Sequence, residues 1–406
     1  MNKKNVKPEL LAPAGNFEKL QIAIHYGADA VYLAGKNFSL RNFSGNFTDN
    51  ELFDAVTYAH LHHTKVYLAC NIYSRTHEQK DIQAFLSRAG QIKPDAIILS
   101  DPGIIRLAQQ IIPQIDIHLS TQANTTNASS ANFWYNLGIK RVNLARELSL
   151  EEIKTFKNET SIETEIFVHG AMCVSYSGRC LLSSFLSKRD SNRGLCSHPC
   201  RWKYSVVEEL RPNEYHSLME DEQGSYIFNS KDLCMIEHIP DLINTGVTSF
   251  KIEGRMKGIN YLASVVKTYR DAIDAYMENP DHYKTDPDWM DELFHVFHRD
   301  YCTGFFFNNP DEQQPNYNNI HHGKIHSFIG KILAIKTEGQ YSIGIRNKLC
   351  KNDVIEVISP GSPPKISRVL ELKDEGNNPI ENAHPNTTAV IKLEIQCQPN
   401  DIVRKK

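Results

Sequence analysis

The strongest constraint on the fold is a repeat. Across the first 170 residues, short β-rich runs are each followed by a turn residue and an amphipathic helical stretch. The runs are Glu9–Pro13, Ala30–Leu33, Lys65–Cys70, Ala96–Leu99, Ile117–Ser120, Arg141–Leu144 and Glu165–Val168. From Glu9 to Glu165, 156 residues hold six steps of about 26. Strands that alternate with helices pair in parallel, because each crossover returns the chain to the same edge. Seven such units, with an eighth strand candidate at Ser249–Ile252, predict an α/β fold, a (β/α)8 TIM-like barrel. The helix after the eighth strand carries Leu262, Val266, Tyr269, Ile273 and Tyr276 on one apolar stripe. A doubly wound sheet is the rival. It usually needs fewer strands and a glycine-rich phosphate turn, and neither GxGxxG nor GxxxxGK[ST] occurs in the chain.

Between the seventh and eighth strands lies a long excursion, residues 171–248, which carries Cys173, Cys180, Cys196 and Cys200. In a barrel of this class the chemistry sits where the loops leave the carboxyl ends of the strands, so these thiols are expected at the rim of the mouth. The N-terminus has no apolar run long enough for a signal peptide, and no stretch approaches the ~20 apolar residues of a membrane span. A cytoplasmic protein with reduced thiols is therefore expected. Four thiols so placed are more apt to hold a metal than to pair as disulfides. Only Cys196 and Cys200 have the close spacing of a zinc knuckle, while iron–sulfur clusters accept wider spacing; unligated thiols are the third option. Cys234 is a possible substitute ligand, though its apolar context reads as core. Cys70, Cys302, Cys350 and Cys397 read as packing residues.

The sequence divides into a barrel with its cysteine-bearing insertion over residues 1–280, a connector over 281–320 and a small all-β barrel domain of about six strands over 321–406. Net charge is −3, which argues against a simple basic nucleic-acid binder. The tail nevertheless holds 13 Lys and Arg against nine Asp and Glu. A second basic run, Lys188, Arg189, Arg193, Arg201 and Lys203, sits among the cysteines. Such patches suit a phosphate-bearing or anionic partner, or are solvated loops.

Polar residues at the strand ends are candidates for a shared cavity: Asn71, Asp101, Gln122, Arg146, His169, Glu253 and Arg255. Of these, His169, Glu253, Arg255 and Arg146 are the expected catalytic set. Arg146 or Arg255 could clamp a carboxylate, and His169 could donate a proton. The alternative for each is helix capping or loop satisfaction. No HExxH and no GxSxG marks a hydrolase.

The segments ELLAPAGNFEKLQIAIHYGADAVYLAG, EIFVHGAMCVSYSGRCLLSSF, NRGLCSHPCRW, NSKDLC and SFKIEGRMKG resemble peptidase family U32, the collagenase-like peptidases. The likeness runs from about residue 9 to 308, and the β-rich tail is similar to the family's C-terminal domain. It implies an enzyme of the family's tRNA-modifying branch. The implied cofactor is a 4Fe–4S cluster on Cys173, Cys180, Cys196 and Cys200. The implied activity is oxygen-independent hydroxylation with prephenate as co-substrate and an unspecified electron donor. The implied partner is the anticodon loop of tRNA, whose wobble uridine becomes 5-hydroxyuridine. A true peptidase and a non-catalytic, metal-stabilised RNA-binding protein are the alternatives.

Overall fold

The computed structural model describes residues 6–36, 38–39, 45–173, 175–201, 206–208, 211–216, 220–221, 224–225, 231–307 and 326–405. Eight parallel strands close on themselves: β1 Glu9–Pro13, β2 Ala30–Leu33, β3 Lys65–Ala69, β4 Ala96–Leu99, β5 Asp116–Leu119, β6 Arg141–Asn143, β7 Glu163–Ala171 and β8 Ser249–Ile252. β8 pairs with β1 on one side and β7 on the other, which seals the barrel. The expected strands match to within a residue or two, except that β7 runs longer at both ends.

The sequence writes the helix starts into the loops. Asn16 caps α1 (Phe17–His25) by accepting from the Lys19 amide. Thr48 and Glu51 form a capping box for α2 (Asp49–Leu61), and Ser149 and Glu152 do the same further along. Asp101 precedes a proline at a helix start, and its carboxylate accepts from the Gly103 and Ile104 amides. Apolar faces of the helices then bury against the strands, and Leu20, Leu52, Leu86, Ile104 and Leu262 are all sealed from solvent.

After β7 the chain leaves the barrel and returns at Asp232–Cys234, which pairs antiparallel with the end of β7 and parallel with Tyr301–Cys302. The 20-residue helix Ile259–Glu278, named α3 here, packs across the outside of β1 and along α1. The C-terminal region is a separate antiparallel sheet of seven strands between Ser327 and Lys405, against the six expected, around its own core of Ile332, Ile343, Val357 and Ile391. It docks on the barrel through buried polar contacts. Tyr26, the C-cap of α1, donates to the Ile358 carbonyl at 2.7 Å and accepts from the Ile402 amide at 3.0 Å. Arg404 reaches Glu292 of the connector helix Pro287–Phe294. Among the described residues no helix is long and apolar enough to cross a membrane.

Candidate active site at the barrel mouth

A cavity of about 420 Å³ opens at the carboxyl ends of the strands. Its floor is polar: Asn71 and Ser120 follow β3 and β5, Asn143 ends β6, and Lys251 lies within β8. Tyr32 and Phe167 supply aromatic walls. The rim comes from the post-β7 excursion, which is tied down from several directions. Ser191 Oγ and Asn192 Nδ2 each donate to the Cys180 carbonyl at 2.8 Å. Arg193 donates to the Tyr73 carbonyl at 2.8 Å and pairs with Glu78, which fixes this loop against the one after β3. Arg193 is thus structural; Lys203 and the Arg201 side chain, the rest of the basic run beyond it, lie outside the described residues.

Of the strand-end candidates, Asn71, Gln122, Arg146, Glu253 and Arg255 line this cavity. Asp101 is spent on capping and on the Ser74 amide. Arg146 donates to the Ala171 carbonyl at 2.6 Å and lies 3.8 Å over the Phe167 ring. Arg255 is only 3% exposed, and its guanidinium holds Ser39 Oγ at 2.6 Å and Asn46 Oδ1 at 2.8 Å. It therefore braces the loop between β2 and α2. Glu253 sits at the rim, with Tyr32 donating to its carboxylate at 3.4 Å.

His169 lies elsewhere. A register shift between β8 and β7 places Lys251 beside Phe167 but Ile252 beside His169, with Val168 as the extra residue of a bulge. The bulge interrupts the alternation of side chains. The His169 ring packs 5.8 Å from Tyr261 and 5.5 Å from Tyr269, both on α3 at the helix side of the sheet. It is buried, and neither ring nitrogen has a hydrogen-bond partner. Burial pushes its pKa down to about 3, with Asp232 only partly opposing. The ring is therefore neutral at physiological pH.

The sign of the resulting pH effect follows directly. An unfolded histidine takes up its proton near pH 6.5, long before the folded one, so stability declines as pH falls from about 6.5 towards 3, by ~1.4 kcal/mol per unit. Comparing urea unfolding at pH 7 and pH 5, the wild-type protein is expected to lose about 2 kcal/mol more than His169→Gln. Equal losses in both proteins would remove this assignment.

The four cysteines behave differently from expectation. Cys173, Cys180, Cys196 and Cys200 all line the cavity, and none is in a disulfide. Among the described residues, however, no group of three or more His, Cys, Asp or Glu side chains is gathered so that it could hold a metal ion. The expected 4Fe–4S site is therefore corrected: its donors do not fit the cluster, and the expected pairing of cluster and prephenate loses its structural basis. The physical reason is that each thiol rides on a different local element. Cys173 follows β7 and is exposed, Cys180 is fixed through its carbonyl, Cys196 Sγ accepts from the His198 amide at 3.4 Å, and Cys200 lies in a single helical turn. Burial pushes the Cys70 and Cys234 thiols up to about 12, and Cys234 is packed in the core away from the cavity lining, as its apolar context suggests.

Sequence reading missed a buried polar cluster within the barrel. Glu165 Oε1 accepts from Lys251 Nζ at 2.7 Å and from Asn143 Nδ2 at 2.9 Å. Below it, Arg141 bonds Glu9 Oε1 at 2.5 Å and Glu163 Oε2 at 2.8 Å. Burial works against the Glu9 charge, but Arg141 prevails and holds that carboxyl below its usual range. A signal existed: a charged or amide residue inside a strand buried on both faces breaks an otherwise apolar run. Lys251 in SFKI and Glu165 in TEIFV do that.

The profile of peptidase family U32 matches residues 15–316, and that of the U32 C-terminal domain matches residues 324–404. The chain is 38% identical to tRNA hydroxylation protein P1 of Bacillus subtilis, over 98% of this chain and 95% of that one. It is 37% identical to tRNA hydroxylation protein P of Escherichia coli, over 87% and 86%. An uncharacterized protease of Methanocaldococcus jannaschii is 39% identical over 96% and 95%.

Proposed function

This chain belongs to peptidase family U32, and from that premise we propose that it serves in tRNA hydroxylation, holding a wobble uridine in the barrel mouth for conversion to 5-hydroxyuridine. The observation that carries the reading is likeness along nearly the whole length to proteins named for tRNA hydroxylation, both domains included. The cavity supports it. At about 420 Å³ it has room for a nucleoside, its walls offer aromatic faces for a base, and its floor offers polar partners. Bases of an anticodon loop are already partly unstacked, so drawing one into such a mouth costs less than flipping it from a duplex. In this reading the chain's own residues bind and orient the base and exclude water from its ring.

Peptide hydrolysis is the second reading. It takes support from the family name, from the protease-named relative, and from one specific feature: four thiols and His198 share the cavity. Thiols that are not gathered on a metal remain available as nucleophiles.

One experiment separates the two. Expressed in an Escherichia coli strain whose own tRNA hydroxylation has been deleted, the chain is expected to restore 5-hydroxyuridine derivatives, measured by mass spectrometry of digested tRNA. If tRNA stays unmodified while purified protein cleaves peptides in a manner abolished by Cys→Ser changes at the mouth, hydrolysis is the function.

A further inference from the structure

Two buried acceptors at the mouth have no use within the chain. Asn143 is 3% exposed and lines the cavity. Its orientation is fixed, because the carboxylate of Glu165 only accepts and so takes the Nδ2 donor at 2.9 Å. That leaves Oδ1, which is buried and without a hydrogen-bond partner. Gln122 Oε1, on the same cavity, is likewise unpartnered. Buried acceptors left unmet are destabilising, so these two call for a donor from outside the chain, an ordered water or a ligand group.

Beside Asn143 stands a donor. Lys251 is 5% exposed and shares Glu165 Oε1 with the Asn143 amide, so the two side chains converge on one atom. An ammonium carries three N–H groups, and Glu165 takes one of them. The ammonium lies 4.6 Å over the Tyr32 ring and 5.5 Å over that of Phe167. The floor thus presents, side by side, an acceptor seeking N–H and a cationic donor seeking oxygen, between aromatic faces.

A ring N–H flanked by carbonyl oxygens is the complement of that pair. Uracil has it at N3. Cytosine has the reverse, with a lone pair at N3 and an amino group beside it. We propose that Asn143 and Lys251 form a uracil-reading subsite, in which Asn143 Oδ1 accepts from N3–H and Lys251 donates to the neighbouring carbonyl oxygen. The inference rests on the tRNA reading and adds to it how the base is recognised. Cytosine in the same place would set acceptor against acceptor and donor against donor. Glu165 is a positioning residue: it orients the amide and holds the ammonium.

The test uses the full-length protein and three synthetic anticodon stem–loops, carrying uridine, cytidine or 3-methyluridine at the wobble position. Affinity is read by fluorescence anisotropy. The wild-type protein is expected to bind the uridine RNA at least about tenfold more tightly than either other RNA, because each leaves a buried group unmet. Asn143→Leu is expected to lower uridine binding to the 3-methyluridine level and to abolish the preference. Lys251→Met is expected to weaken uridine binding yet keep the preference over 3-methyluridine, since N3–H is still read. Equal wild-type affinity for the three RNAs, or no measurable binding of any, overturns the subsite; this arm needs no variant to fold. If 5-hydroxyuridine is restored in cells but the three RNAs bind equally, only the subsite fails. If uridine is preferred but no hydroxylation is restored, the tRNA-hydroxylation reading fails and the subsite stands as a binding site.

Discussion

Arg404→Met is expected to destabilise the protein by about 3–5 kcal/mol. Arg404 is 1% exposed, and its guanidinium holds Glu292 through two bonds, at 2.8 and 2.6 Å, and Glu356 at 2.6 Å. Glu292 sits on the connector helix beside the barrel and also accepts from Ser264 of α3 at 2.5 Å, whereas Glu356 belongs to the C-terminal sheet. Removing the guanidinium leaves two buried carboxylates with the His326 ring, 3.2 Å from Glu356, beside them, which is far costlier than replacing the whole group by neutral side chains. The check is urea unfolding of Arg404→Met beside the triple variant Arg404→Met, Glu292→Gln, Glu356→Gln. The triple variant is expected to recover more than half of the loss. If it is no more stable than the single variant, buried charge is not the cause.

Gly170→Ala is the second large effect expected, in both stability and function. Gly170 has φ of +104°, a backbone conformation that side-chain-bearing residues avoid. A Cβ there would also overlap the carbonyl of Glu253 across the junction of β7 and β8. Strain and overlap together imply a loss of about 2–6 kcal/mol. Relief of the overlap must come by moving either the start of the cysteine-bearing excursion or Glu253 at the cavity rim. The expected readout is a lower midpoint of unfolding, together with lost restoration of 5-hydroxyuridine in the complemented strain. Gly246→Ala serves as the control. Its φ is +77° but no atom lies within 4 Å of the added Cβ, so it should show the strain without the functional loss. Equal behaviour of the two variants would remove the role given to close approach.

Several structural features were legible because they are local or periodic. The 26-residue step of strand and helix gave the barrel. The placement of the cysteines after the seventh strand put them at the mouth, since loops on that face form the cavity of any such barrel. The family itself was readable from contiguous motifs.

What the sequence by itself determined, then, is the order of elements and the face on which the site lies, because both follow from short-range periodicity along the chain. The tertiary structure alone decided which side chains meet. Four thiols close in sequence do not gather into a metal-holding group among the described residues, and His169 turns to the helix side because one bulge shifts the register against β8. Asn143, Glu165 and Lys251 come from three different strands and meet because the barrel closes β8 onto β7 and sets β6 alongside. Arg404 finds Glu292 across 112 positions for the same kind of reason. Convergence depends on strand register and long-range pairing, and no local pattern in the chain carries that information.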